Sequence, residues 1–260
     1  MNTTFEWDKS KQLSHIQILI AVFLPSAIGF IGFHGVVPWL VDDQQVPPLL
    51  AWSYTAMGML ALLVGGAIVL LYREAKELKI SLKARLMLEN VTVKKWVLYI
   101  VIALVMMGVI GGVLQPLMPL FWDMIGFTPP EYYPFFLRGL DPMNTPMEVL
   151  SPGFPLQGEY GLLPLIAVVL ALNIFAEDLY FRAWLLPKMS WLGRMSWVYN
   201  GVLFALYHTF QLWMLPILLV ATLTFAYVVW DSRSVLPSLV LHFILNFSMS
   251  ILGILMLIAS

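Results

Sequence analysis

Seven separate apolar stretches run through this chain of 260 residues, most of them near or above the roughly 20 residues a helix needs to cross a hydrocarbon core. They fall at about His15 to Trp39, Leu49 to Tyr72, Trp96 to Leu120, Gly161 to Pro187, Ser196 to Gln211, Trp213 to Trp230 and Leu236 to Ile258. In lipid every backbone N–H and C=O must find a partner within the protein, which a helix provides by itself. The expected fold is therefore all-α, a polytopic transmembrane helical bundle of about seven (seven to eight) spans. Residues 1–260 then form a single integral membrane domain. Only 11% of the residues are charged and 60% are hydrophobic, where soluble domains carry about a quarter charged residues.

The few charges are unevenly placed. Lys9, Lys11, seven Lys or Arg between Arg73 and Lys95, Lys188, Arg194 and Arg233 share one side of the spans; the other side has only Arg138. The positive-inside rule puts the N-terminus in the cytoplasm and, with seven spans, the C-terminus outside. An integral protein of a prokaryotic inner membrane is expected. The first apolar run is too long for a signal peptide and no small-x-small cleavage site follows it, so it reads as a retained helix. A net charge of −1 supplies no basic field for nucleic acid, which leaves membrane lipid and a protein or peptide as partners. With no cysteine, disulfides, thiolate nucleophiles and Cys-ligated metals are excluded. Leucines at helical spacing in the 73–95 segment suggest an amphipathic surface helix. The Pro- and aromatic-rich 121–160 segment reads as an interfacial loop, and Gly108 and Gly112 as points of close helix contact.

Against this background the polar residues of the last 100 positions stand out. A charge at mid-bilayer costs about 2.5–3.5 kcal/mol even on the lenient insertion scale, so such residues usually face the bundle interior. Asp178 and Arg182, four apart, share a helical face and can pair. Glu177, about 100° around the helix, has no partner from its own turn and is suited to exchange protons. Phe204 and His208 share a face at i and i+4, as do His242 and Asn246. Counting 1.5 Å per residue, Glu177, His208 and Asn246 lie at a similar depth from one membrane face, with His242 one turn shallower. They can meet in one layer, expected to open toward the cytoplasm. His15 and His34 read as ordinary hydrogen-bonded or surface imidazoles.

A carboxylate and an imidazole can activate water as a general base, while a second imidazole and an amide can donate to an oxyanion. This suits hydrolysis of a peptide bond in the cytoplasmic half of the membrane: Glu177 with His208 activating water, His242 and Asn246 forming the oxyanion site, and Asp178, Arg182 and Phe204 in support. No cofactor is expected; zinc is the alternative, with Glu177, His208 and His242 as a three-ligand site open to water. No H-E-x-x-H helix, G-x-G-D aspartate pair or G-x-S-x-G elbow is present. Other readings are a proton-coupled transporter using a Glu/His relay and a non-catalytic membrane immunity or scaffold protein.

Glu177-Asp178-x-x-x-Arg182, Phe204-x-x-x-His208 and His242-x-x-x-Asn246 together resemble the E-E-x-x-x-R, F-x-x-x-H and H-x-x-x-N motifs of the CPBP intramembrane proteases, a family related to type II CAAX prenyl endopeptidases. The match in order and spacing places the catalytic half at about 161–258. The resemblance implies a glutamic-type intramembrane endopeptidase in which Glu177 activates water, with metal dependence described for some of the family. Its substrate would be a protein or peptide, membrane-anchored or lipidated in some members. Asp178 departs from the second Glu of the motif, and its shorter side chain is expected to keep a structural pair with Arg182.

Overall fold

The computed structural model describes residues 5–259, so the two ends of the predicted 1–260 domain, residues 1–4 and 260, lie outside it. The chain is a polytopic helical bundle with no strand among the described residues. The main helices are α1 (His15–Asp42), α2 (Pro48–Glu77), α3 (Val93–Ile125), α4 (Leu162–Glu177), α5 (Ser196–Tyr207), α6 (Leu215–Ser232) and α7 (Leu236–Asn246). Helix α4 continues through a widened π-type stretch, Asp178–Leu185, and a tighter 3-10 stretch, Leu186–Met195; α7 continues through Phe247–Ile251 into Leu252–Ala259.

Local chemistry sets the boundaries. Ser14 caps α1 in a reciprocal capping box with Gln17. Pro48, Pro216 and Pro237 sit in first turns, where a missing N–H costs nothing. Gly126, in the left-handed region at φ 64°, ends α3. The fifth predicted span was expected to reach Gln211. It stops at Tyr207 because the backbone of His208 leaves the helical region, and the 3-10 stretch Thr209–Met214 is broken again at Gln211.

Close helix contact occurs at other glycines than those expected. A side chain at Gly108 or Gly112 would meet nothing within 4 Å. At Gly201 a Cβ would lie 2.9 Å from Leu223 Cα, and Thr222 Oγ1 donates to the Gly201 carbonyl at 2.8 Å, locking α5 against α6.

Lysines and arginines collect at one end of the bundle, and part of that charge is buried. Glu74 of α2 accepts from Arg85 Nε and Nη2 at 3.0 and 2.7 Å and from Lys188 Nζ at 2.9 Å, and is also bonded to Ser10. Arg85 Nη1 donates to the Ala183 carbonyl at 2.6 Å. The 73–95 segment is therefore not an amphipathic surface helix. Helix α2 runs on to Glu77, a one-turn helix spans Leu82–Arg85, and the Glu74 carboxylate draws Arg85 fully inside. This cluster ties together the N-terminal segment, α2 and the end of the α4 extension.

Removing one partner of such a group leaves uncompensated buried charge. Glu74→Gln is expected to lower stability by about 3–5 kcal/mol, measured by thermal or denaturant unfolding in detergent. A loss below about 1 kcal/mol, the range of exposed pairs, would mean the cluster is not structural.

Candidate active site

Glu177 is the last residue of α4, where the helix widens into the π-type stretch; such bulges recur at functional sites. Its two carboxylate oxygens face two different imidazoles. Oε1 lies 3.5 Å from His208 Nε2 on one side, and Oε2 lies 3.5 Å from His242 Nε2 on the other. All three side chains are buried. Residues from α4, the end of α5 and α7 thus meet at one carboxylate, His242 included, although rise per residue put it one turn shallower.

Each imidazole is oriented by its other nitrogen. His208 Nδ1 lies 2.9 Å from the Phe204 carbonyl, one turn back in α5. A carbonyl only accepts, so Nδ1 carries the hydrogen and Nε2 is turned toward Glu177. His242 Nδ1 lies 2.8 Å from Asp178 Oδ2, which fixes the second ring in the same sense.

The Asp178–Arg182 pair is looser than expected. Arg182 Nε stands 3.9 Å from Asp178 Oδ1, while Asp178 is bonded to Ser238 and His242. Asp178 therefore acts across the bundle, holding α7 and the His242 ring. The widened helix also departs from the regular i to i+4 register on which the expectation rested. Arg182, fully buried, lies over the Phe204 ring with its guanidinium carbon 3.8 Å from the centroid, and 5.5 Å from that of Phe225. A desolvated cation–π contact is worth about 2 kcal/mol, which gives Phe204 a role as the platform for Arg182.

Asn246 is at the predicted depth but reaches Glu177 through an intermediary. Its Nδ2 donates to Asn173 Oδ1 at 2.6 Å, and Asn173 Nδ2 donates to Glu177 Oε1 at 3.0 Å. Glu177 thus does have a partner one turn back in its own helix, contrary to expectation. The amide of Asn246 has a second N–H beyond the one given to Asn173. Asn173, Ser238 and Phe225 were missed by sequence reasoning. An Asn four residues before Glu177, and a Ser four residues before His242, were the available signals.

Among the described residues no group of three or more His, Asp or Glu is placed to hold a metal ion. The two histidines address opposite oxygens of Glu177. The chemistry of the site is accordingly derived from its side chains.

The site opens into a cavity of about 340 Å³, lined mostly by apolar residues and holding Glu177, His208, His242, Asn173 and Asn246 at its polar end. On α4 the lining runs from Ile166 to Glu177, and on α7 from His242 to Ile254. On these two helices the lining therefore lies on the side away from the cationic end. Phe204 and Phe225 line the cavity next to His208 and His242, and Arg182, outside the lining, packs against both rings.

Residues 159–248 match the type II CAAX prenyl endopeptidase Rce1-like family. This agrees with the resemblance carried by the three motifs, which all lie inside the matched segment. The Rce1-like match supports a CAAX-type intramembrane protease in general terms. No curated protein and no solved structure matches the chain. Helices α1 to α3, with His34 and the 121–158 segment, lie outside the Rce1-like match.

Those outer parts nevertheless hold the site. Tyr133 Oη donates to the Phe210 carbonyl at 2.7 Å, and His34 Nε2 lies 3.0 Å from the same oxygen. Ser26 bonds Thr209 at 2.7 Å, and Trp213 Nε1 donates to the Leu137 carbonyl at 2.8 Å. The backbone just after His208 is thereby clamped. The 121–160 segment is not simply an interfacial loop: Tyr133 and Phe135 are buried, and their neighbourhood supplies two of these bonds. His34 is hydrogen-bonded, as expected, to Tyr132 at 2.8 Å as well as to Phe210. His15 packs edge-on against Trp191 and Tyr199.

Nitrogen NMR of histidine-labelled protein near neutral pH should report a hydrogen on Nδ1 of both His208 and His242. A bare Nδ1 on His242 would remove Asp178 from its orienting role.

Proposed function

We propose that this protein is a glutamic-type intramembrane endopeptidase that hydrolyses a peptide bond of a protein or peptide substrate. The observation that carries the reading is the Glu177 carboxylate set between two imidazole Nε2 atoms, each at 3.5 Å, at the polar end of a cavity large enough for several apolar side chains.

In the first step Glu177, with His208, accepts a proton from water as the water oxygen attacks the carbonyl carbon of the scissile bond. The C=O π electrons move to oxygen, and the resulting oxyanion is stabilised by the second N–H of Asn246 and by His242 in its doubly protonated form, whose Nε2–H donates while Nδ1–H stays on Asp178. In the second step the oxyanion collapses, the C–N bond breaks, and the proton held at Glu177 passes to the leaving amine nitrogen. Water is consumed, and a new carboxyl and a new amino terminus are formed. Asp178 holds the His242 ring, and the Arg182 guanidinium over Phe204 offsets part of the two buried carboxylate charges. The reading uses no metal.

The positive-inside distribution supports an N-terminus in the cytoplasm. Glu177 is ten residues, about 15 Å, from Pro187 near the cationic end, a depth that supports a cut in the cytoplasmic half of the membrane. An integral position in a prokaryotic inner membrane follows the same reasoning. The substrate is a polypeptide, membrane-anchored or lipidated forms included.

Glu177→Gln preserves shape and removes the base. Comparing protein termini in cells that carry wild-type or Glu177→Gln protein at equal levels should show one or more cleavage products missing in the variant. On a substrate so identified the rate is expected to fall by 10²-fold or more, about the scale of general-base catalysis. Full cleavage by a folded Glu177→Gln protein would refute the assignment.

A further inference from the structure

The shape of the cavity says from which face the site is reached. Helix α4 runs toward the cationic end and α7 runs away from it. The lining precedes Glu177 on α4 and follows His242 on α7, so both helices place the cavity on the same side of the catalytic layer. Helix α2 agrees. Its lining spans Leu49 to Leu63, and none comes from the half that leads to Glu74. On the cationic side the cavity is floored by Phe204 and Phe225, and behind them stand the buried Arg182 over Phe204 and the Asp178–Ser238 bond, neither of which belongs to the lining. Beyond them lies the Glu74–Arg85–Lys188 cluster.

At the far end the cavity meets Phe136 and Leu137 of the one-turn helix Phe135–Leu137. The Leu137 carbonyl takes the Trp213 Nε1 hydrogen bond, so this turn both caps the cavity and touches the segment that follows His208. Lysine and arginine are concentrated at the opposite end, with Arg138 alone outside it and Arg182 buried beside the site. By the positive-inside rule the capped end is extracytoplasmic.

We propose that the site is loaded from the extracytoplasmic face, beneath the Phe135–Leu137 turn, and that its substrate is an exported or externally displayed polypeptide. Apolar side chains of that polypeptide fill the cavity lined by Trp52, Phe136 and Ile166, which brings the scissile bond down to Glu177. The substrate class rests on the protease reading; the access route does not. Depth and access are separate matters here: the bond is cut nearer the cytoplasmic face but reached from the other.

A chain without cysteine allows the route to be read by single thiols. Ser53→Cys and Ser250→Cys place a thiol on the cavity wall, Asn144→Cys on the exposed 121–160 segment and Lys83→Cys near the cationic end. Each is treated with a membrane-impermeant maleimide, first on intact cells and then after permeabilisation. Ser53→Cys, Ser250→Cys and Asn144→Cys are expected to label on intact cells, and Lys83→Cys only after permeabilisation. Cavity thiols that label only together with Lys83→Cys, or from neither face, overturn the proposal, as does an inverted pattern for Asn144→Cys and Lys83→Cys. Labelling requires no turnover. A protein that labels as expected yet cleaves nothing would sink the protease reading and leave the access route standing.

Discussion

Two imidazoles pressed against opposite oxygens of one buried carboxylate form the contact on which the rest of this architecture depends. With both Nδ1 atoms donating elsewhere, a neutral imidazole would present only a lone pair to Glu177. A carboxylate and two lone pairs repel one another unless a proton or a water lies between them. The surrounding protein has to hold this arrangement by force of packing and hydrogen bonding. Asp178 and Ser238 fix α7 beside α4, and Asn173 and Asn246 add a second tie one turn away. Hydrogen bonds between membrane helices average only about 0.6 kcal/mol, so several are needed where one strong pair would not give the geometry.

The same economy explains the periphery. The backbone after His208 leaves the helix without a glycine or proline at the break, so its position is imposed from outside, by His34 and Ser26 of α1 and by Tyr133 and Leu137 of the 121–160 segment. At the cationic end, one carboxylate satisfies two cations and gathers the chain's N-terminal segment, α2 and the α4 extension. Both devices lie outside the segment that matches the Rce1-like family at 159–248 in at least one partner, so the matched segment is supported by other helices of its own chain.

Much of the centre was legible because it rests on rules with a fixed period. Spacing of i and i+4 on three apolar helices, together with rise per residue, was enough to set Glu177, His208 and Asn246 at a similar depth with His242 a turn away, and the apolar lengths gave the helical bundle. What stayed hidden depends on contacts that no period encodes. Asp178 was read with Arg182 because they share a face, whereas the decisive partners, Ser238 and His242, come from another helix. Three of the four π-type stretches among the described residues leave no compositional trace yet sit at the site's polar residues: Gly32–Val36 contains His34, and Asp178–Leu185 and Phe247–Ile251 begin directly after Glu177 and Asn246. The direction of the cavity was not legible, because depth along a helix says nothing of which side of that depth is filled.

If Glu177 and His208 act as one base, their losses should not add. On a substrate identified by its missing termini, cleavage rates of Glu177→Gln, His208→Gln and the double variant form a cycle. Groups that work as a unit give a double variant about as slow as the slower single one. A double variant slowed by the product of the two single effects would mean that the residues act independently, contradicting the shared contact at the centre of this account.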